Sequence, residues 1–246
     1  MESNYLSSLK KNGFVVIESF FSQSECQQLE ILSRDLMREG LLGESEDLEI
    51  DFKDSSYNEL AEKNNTILSK RGDIGYDQNF LDFFNPQFWF SRRNPNIIPI
   101  IEKFQNGAVP ELLKKIDTKL KPKNMNLYCH EGVSSPRTHH IDSIRNYFKV
   151  FLALTDQTDD SCGPFALIPG THKNKVFNYL MCLFNHRILG KKGGMATDAT
   201  FYKKSKLKPM HLNIGDLLIS NQSCVHGAIP ATSGKRLTLL QTYDVK

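Results

Sequence analysis

The second half of the chain places the strongest constraint on the fold. From Asn126 onward, short apolar segments alternate with turn residues: Asn126–Cys129, Tyr147–Leu154, Ala166–Ile168, Leu217–Ser220 and Leu237–Tyr243. Between them lie Asp156 to Gly163, Pro169-Gly170, Gly215-Asp216 and Thr232-Ser233-Gly234, residue types that end strands and close turns. Short strands must satisfy one another's backbone groups, so this spacing predicts an all-β sandwich or barrel. Gly190-Lys191-Lys192-Gly193-Gly194 interrupts the pattern and reads as a flexible insertion, a candidate lid.

The first half has a different rhythm. Gly13 introduces Phe14-Val15-Val16-Ile17, a β-branched run expected to be a strand. Ser22-x-x-Glu25 has the form of a capping box, and Cys26, Leu29, Leu32 and Leu36 follow at helical spacing, with Gly40 as a stop. That helix is expected to cover one face of a sheet. Ile97 to Phe104 and Leu112 to Leu120 also read as helices. The acidic stretch 43–54 reads as a loop, and the aromatic run Phe80–Phe90, with Trp89, as core or helix-docking surface. The expected fold class is mainly β with flanking helices, in one domain over residues 1–246. Residues 1–120 form a helix-rich support and 121–246 most of the β core, with an inserted loop near 185–205. A chain of 246 residues can bury such a core without disulfides.

Composition removes several functions. A net charge of +3 with scattered basic residues does not call for nucleic acid, and Lys203 to Lys208 reads as a solvated surface. Five widely spaced cysteines with no CxxC argue against a disulfide framework or a cysteine-rich zinc site, and for a reducing compartment. The first 21 residues lack the continuous apolar core of a signal peptide, and no stretch nears the roughly 18 apolar residues of a membrane span. The expectation is a cytoplasmic protein acting on a small molecule, without a nucleic-acid or membrane partner.

Three features carry the chemistry. In His140-Ile141-Asp142, an extended backbone would turn an imidazole and a carboxylate to the same face. HxD alone is common by chance. His226 follows the strand Leu217-Leu218-Ile219 and would supply a second imidazole at a strand end. Two histidines and a carboxylate leave coordination positions open, which suits Fe(II) binding a co-substrate and O2; zinc hydrolases use the same set. Arg236 separates the two. The turn Ala231 to Lys235 reads as a hairpin connection placing Arg236 on the strand next to His226, with Thr238 on the same face. A buried arginine beside a hydroxyl is suited to gripping a carboxylate through two charge-assisted hydrogen bonds. A dicarboxylic 2-oxo acid would chelate the metal at one end and meet Arg236 at the other.

These segments resemble the phytanoyl-CoA dioxygenase group of Fe(II)/2-oxoglutarate oxygenases over nearly the whole chain. GFVVIESFFSQSECQQLEIL resembles its N-terminal strand and helix, and HHIDSIRNYFKVFLALTD its HxD strand and the strand after. CGPFALIPGTHK resembles its Gly-Pro…Pro-Gly-Ser-His stretch, with Thr171 where Ser is usual. GDLLISNQSCVHGAIPATSGKR resembles the segment with the distal histidine and the 2-oxoglutarate arginine. The resemblance implies a double-stranded β-helix (jelly-roll, cupin-like) core. It implies iron at His140, Asp142 and His226, 2-oxoglutarate at Arg236 and Thr238, and a contact from the strand before HxD at Asn126 or Tyr128. That strand, Asn126 to His130, departs from the family in lacking a clear Gln or Lys. Halogenating relatives have Gly or Ala in place of the carboxylate, so Asp142 implies hydroxylation or a related oxidation, with O2 converting 2-oxoglutarate to succinate and CO2.

Arg137 and Arg145 flank the HxD segment and are candidate contacts for an anionic substrate; surface ion pairs are the plainer reading. His139 is expected to point away from His140, His172 to be a structural hydrogen-bonder, and His130, His186 and His211 to lie on the surface. Two rival functions use the same barrel: a zinc cupin hydrolase or isomerase, which has no need of Arg236, and a catalytically silent binding module, in which a buried unpaired arginine would be costly.

Overall fold

The computed structural model of the chain describes residues 2–41, 68–70, 80–84, 90, 94–131, 136–188 and 196–245. The acidic stretch 43–54, Trp89 and the Gly/Lys-rich segment 190–194 lie outside the described residues. Seven strands form one antiparallel sheet in the order β1-β8-β5-β10-β4-β3-β2. They are β1 (Phe14–Ile17), β2 (Leu68–Lys70), β3 (Phe80–Phe84), β4 (Lys121–Glu131), β5 (Phe148–Ala153), β8 (Leu217–Asn221) and β10 (Lys235–Asp244). A smaller antiparallel sheet has the order β7-β6-β9, from β6 (Phe165–Leu167), β7 (Lys208–Pro209) and β9 (His226–Ala228).

Alternation along the strands decides what each face meets. On β5 and β10, Val150, Leu152, Leu237 and Leu239 point to one side. There they pack with Leu29, Ile97, Phe104 and Leu113 from the helical layer. That layer contains α1 (Glu2–Asn12), α2 (Gln23–Leu41), α3 (Ile98–Asn106) and α4 (Ala108–Lys114). The intervening Phe151, Ala153 and Leu240 point the other way and pack with Leu167, Met210 and Leu212 of the small-sheet side. The site lies in this second layer.

The capping box forms as its spacing predicts: Ser22 N–H donates to Glu25 Oε2 at 2.8 Å and Glu25 N–H to Ser22 Oγ at 3.3 Å. The helix runs to Leu41, one residue past Gly40. Elsewhere the periodicity misleads. The helix expected over 112–120 ends at Lys114, where the chain turns through Asp117 into β4. The aromatic run contains strand β3, paired to β4. Helix α1 was not expected, nor was α5 (Lys175–Ile188), whose end occupies the start of the predicted loop 185–205.

Gly215 is where the chain must be bare. Its φ is +91°, its carbonyl accepts from Phe21 N–H at 3.1 Å, and a Cβ would run into the Phe21 carbonyl. Gly215→Ala is expected to cost about 3 kcal/mol, combining left-handed strain with the clash. Chemical denaturation would read it as a lower midpoint at unchanged slope.

Candidate active site

His140 and His226 meet directly across a two-residue antiparallel bridge. His140 N–H donates to His226 O at 2.8 Å and His226 N–H to His140 O at 2.9 Å. HxD is therefore not part of a long strand. His140 is an isolated bridge residue, held also by Asp198, and Asp142 follows in a segment anchored by its N–H to Gln222 O at 3.0 Å. The imidazoles lie 4.4 Å apart between ring centres. His140 Nε2 is 3.3 Å from Asp142 Oδ1, and His226 Nε2 is 3.6 Å from Asp142 Oδ2. One ligand atom from each residue lies within 4.8 Å of the others, close enough for one ion to reach all three.

Backbone carbonyls set both tautomers. His140 Nδ1 lies 2.8 Å from Thr138 O, and His226 Nδ1 lies 2.9 Å from Cys224 O. A carbonyl can only accept, so each Nδ1 carries a proton, and each Nε2 is the ring nitrogen turned to the shared point. Phe165 stacks on the His226 ring at 5.4 Å and restrains it. Burial, then His226 and Arg137, push His140 down to about 4, so it stays neutral at physiological pH although Asp142 pulls the other way. Burial acts to raise Asp142, but Lys149 and the histidines outweigh it and hold the carboxyl well below the usual range.

These shifts fix a pH dependence. His140 titrates near 6.5 when unfolded and near 4 when folded, so below pH 6.5 the unfolded chain binds the extra proton. Metal-free protein should keep this stability above pH 6.5 and lose about 3 kcal/mol of it as the pH falls toward 4. Buried His130 shifts in the same direction, through burial and then Arg236. Thermal melts from pH 7.5 to 4.5 would read the loss; a flat profile would contradict it.

Lys149 was missed by the sequence reading. It is the lone cation in the apolar run Phe148-Lys149-Val150-Phe151, and that isolation is the signal that could have found it. Alternation turns it to the Phe151 side, where Nζ donates to Asp142 Oδ2 at 2.8 Å. His130 was also misjudged. It is buried, not on the surface, because it shares the inward face of β4 with Tyr128 and pairs in register with Arg236. Arg236 Nη2 donates to His130 Nδ1 at 2.6 Å.

The expected hairpin joining His226 to Arg236 does not form. β9 pairs with β6, whereas β10 pairs with β4 and β5 in the other sheet. Thr232 and Gly234 N–H groups donate to Ser161 O and carry the chain across. Arg236 still reaches the same cavity, from the opposite wall. Its side chain is buried, desolvation pulls its pKa to about 10, and Nε and Nη1 have no hydrogen-bond partner among the described residues. Thr238 lies two residues along on the same face, and its hydroxyl accepts from Gln157 Nε2 at 3.2 Å.

The cavity has a volume of about 320 Å³, and its walls include His140, Asp142, His226, Lys149, Tyr128 and Arg236. This suits a small ligand. Arg137 lines it too, with Nη2 committed to Thr197 Oγ1 at 2.9 Å and Asp198 Oδ1 at 3.2 Å. Asn126 is buried on the face of Tyr128 but does not line the cavity. Arg145 is exposed and off the cavity; its backbone carbonyl accepts from Ser223 Oγ. His139 points into packing, with Nε2 2.8 Å from Tyr202 O, and His172 Nε2 lies 3.2 Å from Lys10 O. His186 and His211 are exposed, as expected.

Two antiparallel sheets, with two histidines and a carboxylate converging at one point, define a double-stranded β-helix protein with a candidate metal site. The sequence model of the phytanoyl-CoA dioxygenase family matches residues 9–238, and the chain belongs to that family. Fe(II), 2-oxoglutarate and O2 are the cofactor and co-substrates of such enzymes. Solved structures are similar in fold at low identity. The non-heme alpha-ketoglutarate-dependent epimerase SnoN from nogalamycin biosynthesis is 13% identical, with a TM-score of 0.62, over 99% of this chain and 80% of its own. AviO1 from Streptomyces viridochromogenes is 12% identical, with a TM-score of 0.62, over 99% and 95%. HygX from Streptomyces hygroscopicus, with nickel and 2-oxoglutarate bound, is 16% identical, with a TM-score of 0.56, over 98% and 86%. A search of curated proteins gave no significant sequence match. Among the described residues, no helix is long and apolar enough to cross a membrane.

Proposed function

We propose that this protein hydroxylates a small molecule using Fe(II), 2-oxoglutarate and O2, releasing succinate and CO2. The observation that carries the reading is the pair of unpartnered, buried Arg236 nitrogens in the cavity that also holds the His–Asp–His cluster. A buried guanidinium with idle donors calls for an anion, and a zinc hydrolase would leave it idle.

His140 Nε2, Asp142 and His226 Nε2 would hold the iron, their donor set matching Fe(II) with open positions. Arg236 would take the distal carboxylate of 2-oxoglutarate bidentately, with the Thr238 hydroxyl beside it and Tyr128 on the adjoining wall. When bound, iron with 2-oxoglutarate and O2 supplies a two-electron oxidation of an unactivated C–H bond. The chain's own work is orientation and exclusion of water. Lys149 holds Asp142 ionised and fixed, the carbonyls of Thr138 and Cys224 aim the imidazoles, and Phe151 and Phe165 keep the inner wall apolar. The carboxylate at Asp142 fills the position a halide would need, which favours oxygen insertion over halogenation. Arg137 at the wall is the substrate-facing cation of this reading.

The test is anaerobic addition of Fe(II) and 2-oxoglutarate to metal-free protein. A visible charge-transfer band that fades on admitting O2, with succinate formed, supports the reading. Retained zinc, with no band and no effect of 2-oxoglutarate, moves the function to the zinc cupin.

A further inference from the structure

Helix α5 carries an apolar face that the cavity and its chemistry do not use. Val176, Phe177, Leu180, Phe184 and Ile188 are each between 50% and 65% exposed. At 100° per residue they fall within about 120° of arc, a continuous ridge along 14 residues. The opposite side of the helix is anchored: Asn178 Nδ2 donates to Thr171 O at 2.9 Å and Cys182 Sγ to Thr197 O at 3.4 Å. The ridge is thus held rigidly outward.

Charge identifies what covers it. From Ser161 to Gly215 the sequence has nine Lys or Arg and a single acid, Asp198, which is buried against Arg137; the rest of the chain has 22 basic residues against 27 acids. The helix itself contains no acid. Lys173 and Lys175 stand at its start and Arg187 in its last turn. Lys203, Lys204, Lys206 and Lys208 are exposed on the segment tied to the helix by Tyr202 Oη donating to Asn178 Oδ1 at 3.0 Å. A second copy docked antiparallel would set Lys175 against Arg187 with no acid between them, and nucleic acid would leave the Phe and Leu ridge wet.

We propose that α5 and its basic flanks dock the protein on an anionic lipid surface, as a peripheral contact that needs no membrane span. An apolar ridge on a helix whose only charged residues are cations, in a basic stretch of chain, is the arrangement that buries side chains at the headgroup boundary while drawing in negative lipid.

The test is co-sedimentation of the full chain with vesicles of phosphatidylcholine alone, or mixed with about one third phosphatidylglycerol, at low and high salt. The expected result is at least about tenfold tighter binding to the anionic vesicles, weakened by salt. Phe177→Ser with Phe184→Ser, and separately Lys203→Glu with Lys204→Glu and Lys206→Glu, should each remove most of it, with unchanged melting temperature. No binding to anionic vesicles would overturn the proposal, as would equal binding to both compositions. Light scattering that finds a dimer dissociated by the Phe variants would overturn it in favour of self-association.

Discussion

Asp142→Asn is expected to abolish turnover, with a loss of at least about a thousandfold in succinate release, and to destabilise the fold at the same time. Both effects follow from one contact. Asp142 is the only anion in the His–Asp–His cluster and also the partner of Lys149, whose Nζ lies 2.8 Å away in a largely buried position. Removing the charge leaves an ammonium buried without its counter-ion, a cost of about 3 kcal/mol. A second change separates the roles. Lys149→Met in the Asp142→Asn background should restore most of the stability and none of the activity. Lys149→Met alone leaves the carboxylate without its brace and should weaken iron binding about tenfold or more while iron still binds. Isothermal titration with Fe(II) under anaerobic conditions, beside denaturant curves, reads both quantities. Turnover retained in Asp142→Asn would remove this residue from the metal site.

Arg236→Met is expected to move affinity and stability in opposite directions. With Nε and Nη1 unpartnered, the buried guanidinium is a burden to the protein without its co-substrate, so an apolar side chain of similar length should leave that state equally stable or firmer. The same change removes the two donors proposed to take the distal carboxylate, an expected loss of about 3 kcal/mol, or a rise of roughly a hundredfold in the 2-oxoglutarate concentration needed. Wild-type protein should gain melting temperature with Fe(II) and 2-oxoglutarate added anaerobically, and the variant should not. A variant that loses stability without change in 2-oxoglutarate affinity would make Arg236 a structural partner of His130 only.

The strands that built the reading of the fold were legible because each runs as a short apolar block between turn residues: β1, β5, β6, β8 and β10 all form where those blocks stand. What was illegible had a physical cause in each case. Helix α5 hid because its period is inverted: Val176, Phe177, Leu180, Phe184 and Ile188 face outward while Asn178 and Asn185 are buried. Strand β9 hid because three residues, His226–Ala228, are too few to show alternation. The course from His226 to Arg236 was read as a hairpin from its Gly and Ser content, but Ser161 O captures the turn's N–H groups and passes the chain to the other sheet. Lys149 and His130 acquire meaning only through partners 7 and 106 residues away.

The sequence by itself determined the local facts: which segments are extended, which helix is capped, and that two histidines, an aspartate and an arginine of suitable type exist at family spacing. Those depend on neighbours along the chain, on alternation and on turn chemistry. Only the tertiary structure decided that Arg236 reaches the cavity from the wall opposite His226, that Lys149 neutralises Asp142, and that His130 is buried beneath the arginine. Burial and charge pairing are properties of a shared volume, and that volume exists only once the two sheets close on each other.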